Sequence, residues 1–404
     1  MLFQTLDDKS ECVGIFCDDK LYFEQDHFPT SLSKTWKFAP YLRGLDVEYA
    51  SLYLEGRPIK GAIPEYLEDD WGDVSLKIEA FKRSLKQAKV DLDENCFYDL
   101  VPRRFLIDLC RVKNKITEHV LKTVSRPKRY EFYKHVSMLV DEISHRRVAI
   151  DERKLKSYEN ISKFTSYVSS MRHFRHVKYN QFGTKTGRLT TTSGSFPILT
   201  LPKDLRSAIL PTNDYYLELD FNGAEVRTLL GLLGKEQPPG DVHDFHLHRV
   251  FTETQSREDA KVAFFAWLYG SSQQKGTPAA RRLEEFYPKQ DLLKEYYRNN
   301  NIVTPYGRVM TDVSDHHAVN YLVQATAAEL FLKQALKIDY LLRAKTSGSR
   351  IAFLLHDAII IDMKDEDSNL VSALCHLMAS TNFGTFGINI KRGFSLGTLK
   401  QWIR

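Results

Sequence analysis

Two aspartates interrupt apolar, strand-like segments, and their positions could bring them together. Asp220 falls near the end of the alternating segment Tyr215–Phe221, and His356-Asp357 divides the apolar stretch from Ile351 to Met363. The two-residue interruption predicts a β-hairpin with a carboxylate at its tip. A lone aspartate there is more often a strand-end cap. If the two strands are neighbours, however, the carboxylates converge, and converging carboxylates bind Mg2+ for phosphoryl transfer.

A segment between the two aspartates carries cations and aromatic rings at intervals of four residues. Arg257, Lys261, Phe265 and Tyr269 follow Ser256, a residue type that begins helices. Because residues four apart share a helix face, these side chains form one stripe with a slow drift. The stripe is either a solvated helix face or a clamp for a triphosphate, with the rings stacking on a base.

The surrounding sequence predicts the elements that position these residues. Gly223 precedes a helical segment at 224–233, and 320–341 is a longer helical pattern. Residues 1 to about 65 favour short strands joined by turns. From residue 74 to about 170 the apolar spacing is helical, with breaks at Pro102 and Pro127.

The charge of the chain is more informative locally than globally. The 404 residues have a net charge of +5, but the segment from Val101 to Arg175 holds 18 basic and 8 acidic residues. Such a segment suits a polyanionic partner, and it suits a lysine-rich solvated surface equally well. Aromatic residues such as Tyr130 and Phe132 lie among these charges, as they do in proteins that bind nucleic acid.

Composition argues against membrane insertion and secretion. The longest apolar run, Val262 to Tyr269, has eight residues, and about 20 are needed to cross a bilayer. The first ten residues include Asp7 and Asp8 and lack a basic start, so we expect no secretory signal. The five scattered cysteines favour neither a disulfide framework nor a zinc site. We therefore expect a soluble cytoplasmic protein, in a bacterium or a virus-infected host, with no membrane partner.

Taken in order, these segments resemble the motifs of the family A (DNA polymerase I-like) DNA polymerases. The run from Asp220 to Arg227 (DFNGAEVR) resembles the first polymerase motif, and the stripe from Arg257 to Gly270 resembles the fingers-helix motif. His356-Asp357 between apolar strands resembles the third motif. Further matches, in the family's order, are Thr186–Thr191 (TGRLTT), Asp241–His243 (DVH), Thr304 with Gly307-Arg308, and Asn320 with Gln324–Ala328 (QATAA).

The resemblance, which covers Lys178 to the C-terminus, implies an α+β right-hand polymerase with an antiparallel palm sheet, helical fingers and a helical thumb. We assign 1–65 to a small, mostly β region that is a reduced exonuclease-like remnant. The other assignments are 66–177 to a basic thumb, 178–222 with 301–404 to the palm, and 223–300 to the fingers. The implied activity is template-directed extension of a primer 3′ end with dNTPs, in phage or bacterial-like DNA replication or repair.

The resemblance also implies a role for each matching residue. Asp220, Asp357 and the carbonyl of Phe221 would hold two Mg2+ ions, with Mn2+ as a substitute. Arg257, Lys261 and His243 would bind the nucleotide phosphates, and Lys261 would protonate the leaving pyrophosphate. Phe265 would pack on the incoming base and sugar, Tyr269 would lie on the template side, and Glu225 would exclude a ribose 2′-hydroxyl. The residues implied to contact primer–template DNA are Arg188, Arg308, Asn320, Gln324 and His356.

The sequence departs from the family pattern at several positions. Ala358 follows Asp357 where a Glu is usual, Gly223 replaces a usual Gln, and His316 stands where an Arg is common. We expect activity to survive with altered metal dependence and looser minor-groove checking. Asp46-x-Glu48 has the spacing of an exonuclease motif, but about 65 residues leave no room for the remaining carboxylates. We therefore expect no intrinsic proofreading, or proofreading by a separate exonuclease chain beside other replication accessory proteins.

Two other functions compete with this hypothesis. A single-subunit RNA polymerase shares the Arg/Lys helix and both aspartates, but Glu225 would be useless to an enzyme that needs ribonucleotides. A catalytically silent nucleic-acid-binding protein could have kept the fold, and Ala358 is the one feature that favours it.

Overall fold

A computed structural model of the chain describes residues 1–7, 14–251, 256–270 and 276–402. Its strands are β1 Phe3–Thr5, β2 Ile15–Cys17, β3 Lys20–Tyr22, β4 Lys34–Thr35, β5 Glu48–Tyr49, β6 Ala149–Ile150, β7 Tyr179–Asn180, β8 Thr190–Thr191, β9 Ile209–Leu210, β10 Tyr215–Phe221, β11 Tyr297–Arg298, β12 Asn301–Val303, β13 Val309–Met310, β14 Arg350–Leu355, β15 Ala358–Met363, β16 Ser380–Thr381, β17 Gly384–Thr385, β18 Ile388–Gly393 and β19 Lys400–Gln401.

The α-helices alternate with these strands in the mixed arrangement that the sequence predicts. They are α1 Ala50–Tyr53, α2 Glu68–Gln87, α3 Arg103–Thr123, α4 Tyr130–Ser144, α5 Glu152–Lys156, α6 Thr165–His173, α7 Ala224–Leu232, α8 Val242–Arg249, α9 Arg257–Leu268, α10 Pro278–Phe286, α11 Lys289–Tyr296, α12 Asp315–Ala344 and α13 Val371–Ala379. Within the described residues, no helix combines the length and the apolar character needed to cross a bilayer.

The chain forms two compact units. The first comprises residues 1–147, 169–182 and 191–196, and the second comprises 148–168, 183–190 and 197–404.

In the first unit, the N-terminal strands and the helices share one hydrophobic core. β1, β2 and β3 form an antiparallel sheet, and its apolar residues belong to the same buried cluster as those of α3 and α4. Asp18 and Asp19 both have positive φ and form the turn before β3, as expected for a region of short strands joined by turns. The predicted helix breaks are also confirmed: α3 begins directly after Pro102, and α4 begins three residues after Pro127.

Cys96 of this unit is disulfide-bonded, a single bond rather than the disulfide framework that the scattered cysteines argued against. Cys17, Cys110 and Cys375 are free. Cys12 lies outside the described residues.

The second unit is built on a five-stranded antiparallel sheet in the order β14-β15-β10-β18-β19. β10 is the central strand, and side chains on both of its faces are buried. The predicted hairpin is confirmed, since β14 and β15 are joined by the two-residue turn His356-Asp357. A second buried cluster joins α7 to α10 with the first part of α12, and this core supports the stripe on α9.

Local sequence explains where the site-bearing helices begin. The hydroxyl of Ser256 accepts a hydrogen bond from the backbone amide of Asp259 (3.1 Å), so it caps α9 as predicted. Asp241 caps α8 in the same way, through the amides of His243 and Asp244. Gly223 precedes α7 with φ of +69°, and a Cβ atom there would overlap Cγ1 of Val242. The left-handed backbone and the close approach together explain why glycine stands at this position.

Candidate active site

The two aspartates singled out from the sequence lie at the same end of the central sheet. In the pairing of β10 with β15, Asp220 is opposite Ala358, the residue after Asp357. The backbone amide of Phe221 donates to the carbonyl oxygen of Asp357 (3.3 Å). On its other side Asp220 is opposite Asn389, whose Nδ2 donates to the Asp220 carboxylate (3.2 Å). Neighbouring strands therefore bring the two carboxylates together, which is the arrangement that the hairpin prediction required.

The electrostatics of this end of the sheet favour a bound cation. Burial raises the pKa of Asp220 to about 6, with the negative charges of Glu218 and Asp357 adding to the effect and Asn389 opposing it. Burial also raises the pKa of Asp357, against the opposing influence of Arg188 and His356. Two desolvated carboxylates in proximity gain most from a hard cation, and oxygen is the donor that Mg2+ prefers.

The described residues include no group of three or more His, Cys, Asp or Glu side chains that could together bind a metal ion. In this part of the chain, Asp220 and Asp357 therefore have no third side-chain ligand beside them. The carboxylates of Asp220 and Asp357 nevertheless fit Mg2+, which commonly keeps waters and substrate phosphate oxygens among its ligands.

Glu225 joins two other residues that the sequence singled out. This carboxylate is 4% exposed at the first turn of α7. It forms an ion pair with Arg188, and the hydroxyl of Tyr269 donates to its other oxygen (3.0 Å). Tyr269 is also hydrogen-bonded to Gln324, and burial raises the pKa of the tyrosine to about 12. Four residues singled out from the sequence therefore form one cluster, namely Glu225, Arg188, Tyr269 and Gln324.

Arg257 is held by Asp241, which belongs to the DVH match but was given no role there. Its Nε and Nη2 donate to the two carboxylate oxygens of Asp241 at 3.0 and 2.6 Å. Burial alone would raise the pKa of Asp241, but hydrogen bonds from Arg257, Asn222 and two backbone amides overcome it and hold that pKa well below its usual range. The aspartate is therefore ionised at neutral pH. The available signal was its N-cap position at the start of α8.

His243 lies beside the α9 stripe. It is 3% exposed, and its Nδ1 has no hydrogen-bond partner among the residues that the structure describes. Burial lowers its pKa to about 4, and the cations Arg257 and Lys261 contribute to the lowering. The imidazole packs against Phe265 with ring centroids 6.0 Å apart, and Phe265 is 5.6 Å from Tyr269. The imidazole is therefore neutral at pH 7 and sits between the predicted phosphate clamp and the aromatic rings.

The predicted DNA contacts Arg188 and His356 lie at one cavity, whereas Arg308 is held in an ion pair. Arg188, His356 and Asp357 line one cavity of about 210 Å³. Arg308 is tied instead to the fully buried Glu329, with Nε 3.2 Å from the carboxylate. Its guanidinium packs so closely on Gly187, which has φ of +78°, that a Cβ there would overlap it.

Asn320 and Gln324 lie four residues apart on α12 and hence share a face. The Oδ1 atom of Asn320 is buried and finds no hydrogen-bond partner in the described part of the chain. Near them, His316 packs over Gly270, because a Cβ at that glycine would overlap the imidazole.

In the first unit, Glu48 of the acidic pair is engaged by neighbouring side chains. Glu48 accepts a hydrogen bond from Tyr53 and lies 3.8 Å from Nε of Arg126. Asp46 is exposed.

Comparison with known proteins supports the resemblance drawn from the motifs. No protein-family model matches the chain. Curated relatives include DNA polymerase I of Chloroflexus aurantiacus, 25% identical over 236 residues that cover 48% of this chain and 25% of that protein. DNA polymerase I of Lactococcus lactis subsp. lactis is 23% identical over 245 residues, covering 49% and 28%. DNA polymerase I of Bacillus subtilis is 23% identical over 248 residues, covering 50% and 28%.

Among solved structures, the POL domain of Pol1 from M. smegmatis in complex with DNA primer-template and dNTP matches with a TM-score of 0.58. The match has 14% identity and covers 73% of this chain and 76% of that domain. The predicted resemblance to family A DNA polymerases is confirmed, and the chain has a mixed helix-and-strand fold similar to a DNA polymerase I polymerase domain. The matched segments span only 25% to 28% of the curated relatives' lengths.

Proposed function

We propose that this chain is a DNA-directed DNA polymerase that extends a primer 3′ end with dNTPs on a template strand. The observation that carries the proposal is the pairing of β10 with β15, which sets Asp220 beside Asp357 at one end of the sheet. The sequence similarity to several DNA polymerases I supports the same activity.

The architecture proposed with it is a right hand. The palm would be 178–222 with 301–404, which include every strand of the five-stranded sheet. The fingers would be 223–300, with the stripe on α9. The thumb would be 66–177, which contains α2 to α6 and the basic segment from Val101 to Arg175, and residues 1–65 would be a reduced exonuclease-like region.

In this proposal Asp220, Asp357 and the carbonyl of Phe221 hold two Mg2+ ions, or Mn2+ in their place. When bound, two such ions supply Lewis-acid neutralisation of the charge on a transferring phosphate. The protein's part is to fix the carboxylates, and Asn389 contributes by orienting Asp220 from the adjacent strand.

The nucleotide would be bound by the α9 stripe and its neighbours. Arg257, Lys261 and His243 bind the triphosphate, and Nζ of Lys261 gives a proton to the leaving pyrophosphate. Phe265 packs on the incoming base and sugar, and Tyr269 lies on the template side. Glu225, anchored by Arg188 and Tyr269, fills the space that a ribose 2′-hydroxyl would need.

Primer–template DNA would be contacted through shape and phosphates more than through base identity. The residues proposed for the primer end and the minor groove are Arg188, Arg308, Asn320, Gln324 and His356. The basic segment from Val101 to Arg175 would bind phosphates, so affinity for DNA should fall steeply with added salt.

The chain is proposed to lack proofreading of its own. Glu48, half of the exonuclease-like pair, is engaged by Tyr53 and Arg126. Any correction of errors would come from a separate exonuclease chain.

Primer extension with Mg2+ tests the proposal. Asp220→Ala and Asp357→Ala should each abolish dNTP incorporation, whereas Asp365→Ala, which removes an exposed carboxylate beyond the far end of β15, should extend like the wild type. Retained synthesis in either active-site variant would refute the metal assignment. A primer with a mismatched 3′ end reports proofreading in the same assay.

The same assay separates the competing functions. Incorporation of rNTPs in preference to dNTPs would identify an RNA polymerase. Normal primer binding without extension in Mg2+ or Mn2+ would identify a catalytically silent binding protein.

A further inference from the structure

The carboxylate of Asp241 is the meeting point of three segments of the second unit. Its Oδ1 accepts from Nε of Arg257 and from the amides of His243 and Asp244, at 2.8 to 3.0 Å. Its Oδ2 accepts from Nη2 of Arg257 (2.6 Å) and Nδ2 of Asn222 (2.7 Å). A carboxylate offers about four lone-pair sites, and five donors converge on this one. The group is fully engaged and cannot swing between alternative partners without losing several bonds at once.

The position of this carboxylate is fixed from the side of the sheet. Asn222 follows β10. Its side-chain Oδ1 accepts a hydrogen bond from the backbone amide of Val242 (3.0 Å), and its backbone amide donates to the carbonyl oxygen of Gly387 (2.9 Å). The completely buried Arg227 donates to the carbonyls of Asn222, Pro238 and Gly240, the last of these adjoining Asp241. The residues before and after Asp241 are thus fastened to the strand that carries Asp220.

The ion pair leaves part of the guanidinium available. Nε and Nη2 form the edge that faces Asp241, and Nη1 lies on Glu258, whose side chain is 70% exposed. Arginine has five N–H donors in a rigid fork, so one edge can stay fixed while the other binds a phosphate. An exposed carboxylate such as Glu258 is easily displaced, because surface ion pairs contribute little free energy.

We infer that Asp241 is a positioning residue that holds Arg257 with one edge locked and presents the other edge to the nucleotide triphosphate. The inference rests on the proposed nucleotide-binding role of Arg257. Asp241 itself touches no substrate. Its effect is to restrict the rotamers of Arg257 before the nucleotide arrives, so that less conformational entropy is lost on binding.

The variant that tests this is Asp241→Asn. Asparagine caps a helix as well as aspartate does, so α8 keeps its first turn, while the charge and the two-oxygen grip on Arg257 are lost. We expect the Kd for a dNTP to rise about tenfold, the size of effect produced by losing one charge-assisted hydrogen bond, with kcat of primer extension nearly unchanged. Asp244→Asn is the matched control: it removes an exposed carboxylate from the same helix turn and should leave both quantities at wild-type values.

Binding is measured by calorimetric titration of a dNTP into the protein with a 3′-dideoxy-terminated primer–template, which cannot be extended. Arg257→Lys should raise Kd similarly, because an ammonium group lacks the planar fork that grips both oxygens of Asp241. The double variant should match Arg257→Lys alone, since Asp241 acts only through Arg257. If Asp241→Asn lowers the melting temperature enough to impair folding, Asp241→Ser provides a second test, because serine also caps a helix but lacks the carboxylate that grips Arg257, and its Kd should rise in the same way.

An unchanged Kd in Asp241→Asn, additive effects in the double variant, a fall in kcat at constant Kd, or no dNTP binding by the wild type would each overturn the inference. A wild-type protein that binds dNTP but extends no primer would instead refute the proposed function, and the inference would still be decided by the Kd values.

Discussion

Replacing His246 with Gln should make the second unit less sensitive to acid. The imidazole is completely buried in α8, where it stacks on Phe264 with centroids 4.9 Å apart. Its Nε2 is 2.5 Å from the hydroxyl of Tyr287. Burial lowers the pKa of His246 to about 3, and that of the nearby His243 to about 4. Both side chains therefore remain neutral in the folded protein at pH 5.

The size of the effect follows from the difference between folded and unfolded chains. The ordinary histidine pKa is 6.5, so below that pH the unfolded chain takes up protons that the folded chain does not. The stability contributed by each neutral imidazole is complete above pH 6.5 and is lost as the pH falls toward the folded-state pKa. At pH 5 each histidine should lower the free energy of unfolding by about 2 kcal/mol, at ~1.4 kcal/mol per pH unit. The two together should remove about 4 kcal/mol between pH 7.5 and pH 5, and His246→Gln should halve that loss.

Urea unfolding at pH 7.5 and pH 5.0 measures this difference. Trp267 packs 5.8 Å from Phe264, so its fluorescence reports on this core once the other three tryptophans are replaced by Phe. Glutamine can still accept the Tyr287 hydroxyl, which keeps that group paired. His248→Gln, an exposed histidine of the same helix, is the control and should leave the pH dependence intact. The reasoning is refuted if the two variants and their parent lose the same free energy on acidification.

Three further predictions concern the candidate active site and its supports. Glu225→Ala should lower discrimination against rNTPs by about 10- to 100-fold in single-nucleotide incorporation, and unchanged discrimination would contradict the proposed exclusion of the 2′-hydroxyl. Because Phe265 has no hydroxyl, the family resemblance predicts poor use of ddNTPs. Chain termination should be inefficient in the wild type and more efficient in Phe265→Tyr. Equal use of ddNTP and dNTP by the wild type would count against this prediction. Gly223→Ala should cost about 1–3 kcal/mol through its left-handed backbone and its overlap with Val242. A melting temperature as high as that of Gly61→Ala, a glycine with open space around it, would be inconsistent with that cost.

The parts of the fold that were predicted correctly depend on local signals. Strict alternation marks β10, and a two-residue interruption marks the hairpin, because both patterns arise from adjacent residues. Helix α12 begins at Asp315, five residues before the predicted start, since its exposed first turn is polar and carries no apolar periodicity. Pairs of two-residue strands such as β6 and β9 were not predicted, because they are defined by a partner distant in the chain.

For the candidate site, the sequence predicted the central residues but not the partners that hold them. Motif spacing selected Asp220, Asp357 and the α9 stripe, and the structure brings the aspartates together. Spacing could not find the partners that hold them. Asn389 reaches Asp220 across 169 residues of sequence. Asp241 belongs to the DVH match, but nothing in the spacing of that match identifies it as the partner of Arg257.

The buried guanidinium of Arg227 has a consequence for how this protein can diverge. It recognises the segment 238–240 only through the backbone carbonyls of Pro238 and Gly240, and every residue type carries a carbonyl. The side chains at positions 238 and 239 can therefore change without disturbing the arginine, whereas Gly240 has φ of +72°, a conformation that favours glycine. An inserted or deleted residue would shift the carbonyls out of register and leave a desolvated cation unmatched. Natural variants should consequently differ here in composition while keeping the number of residues between Arg227 and Asp241 constant.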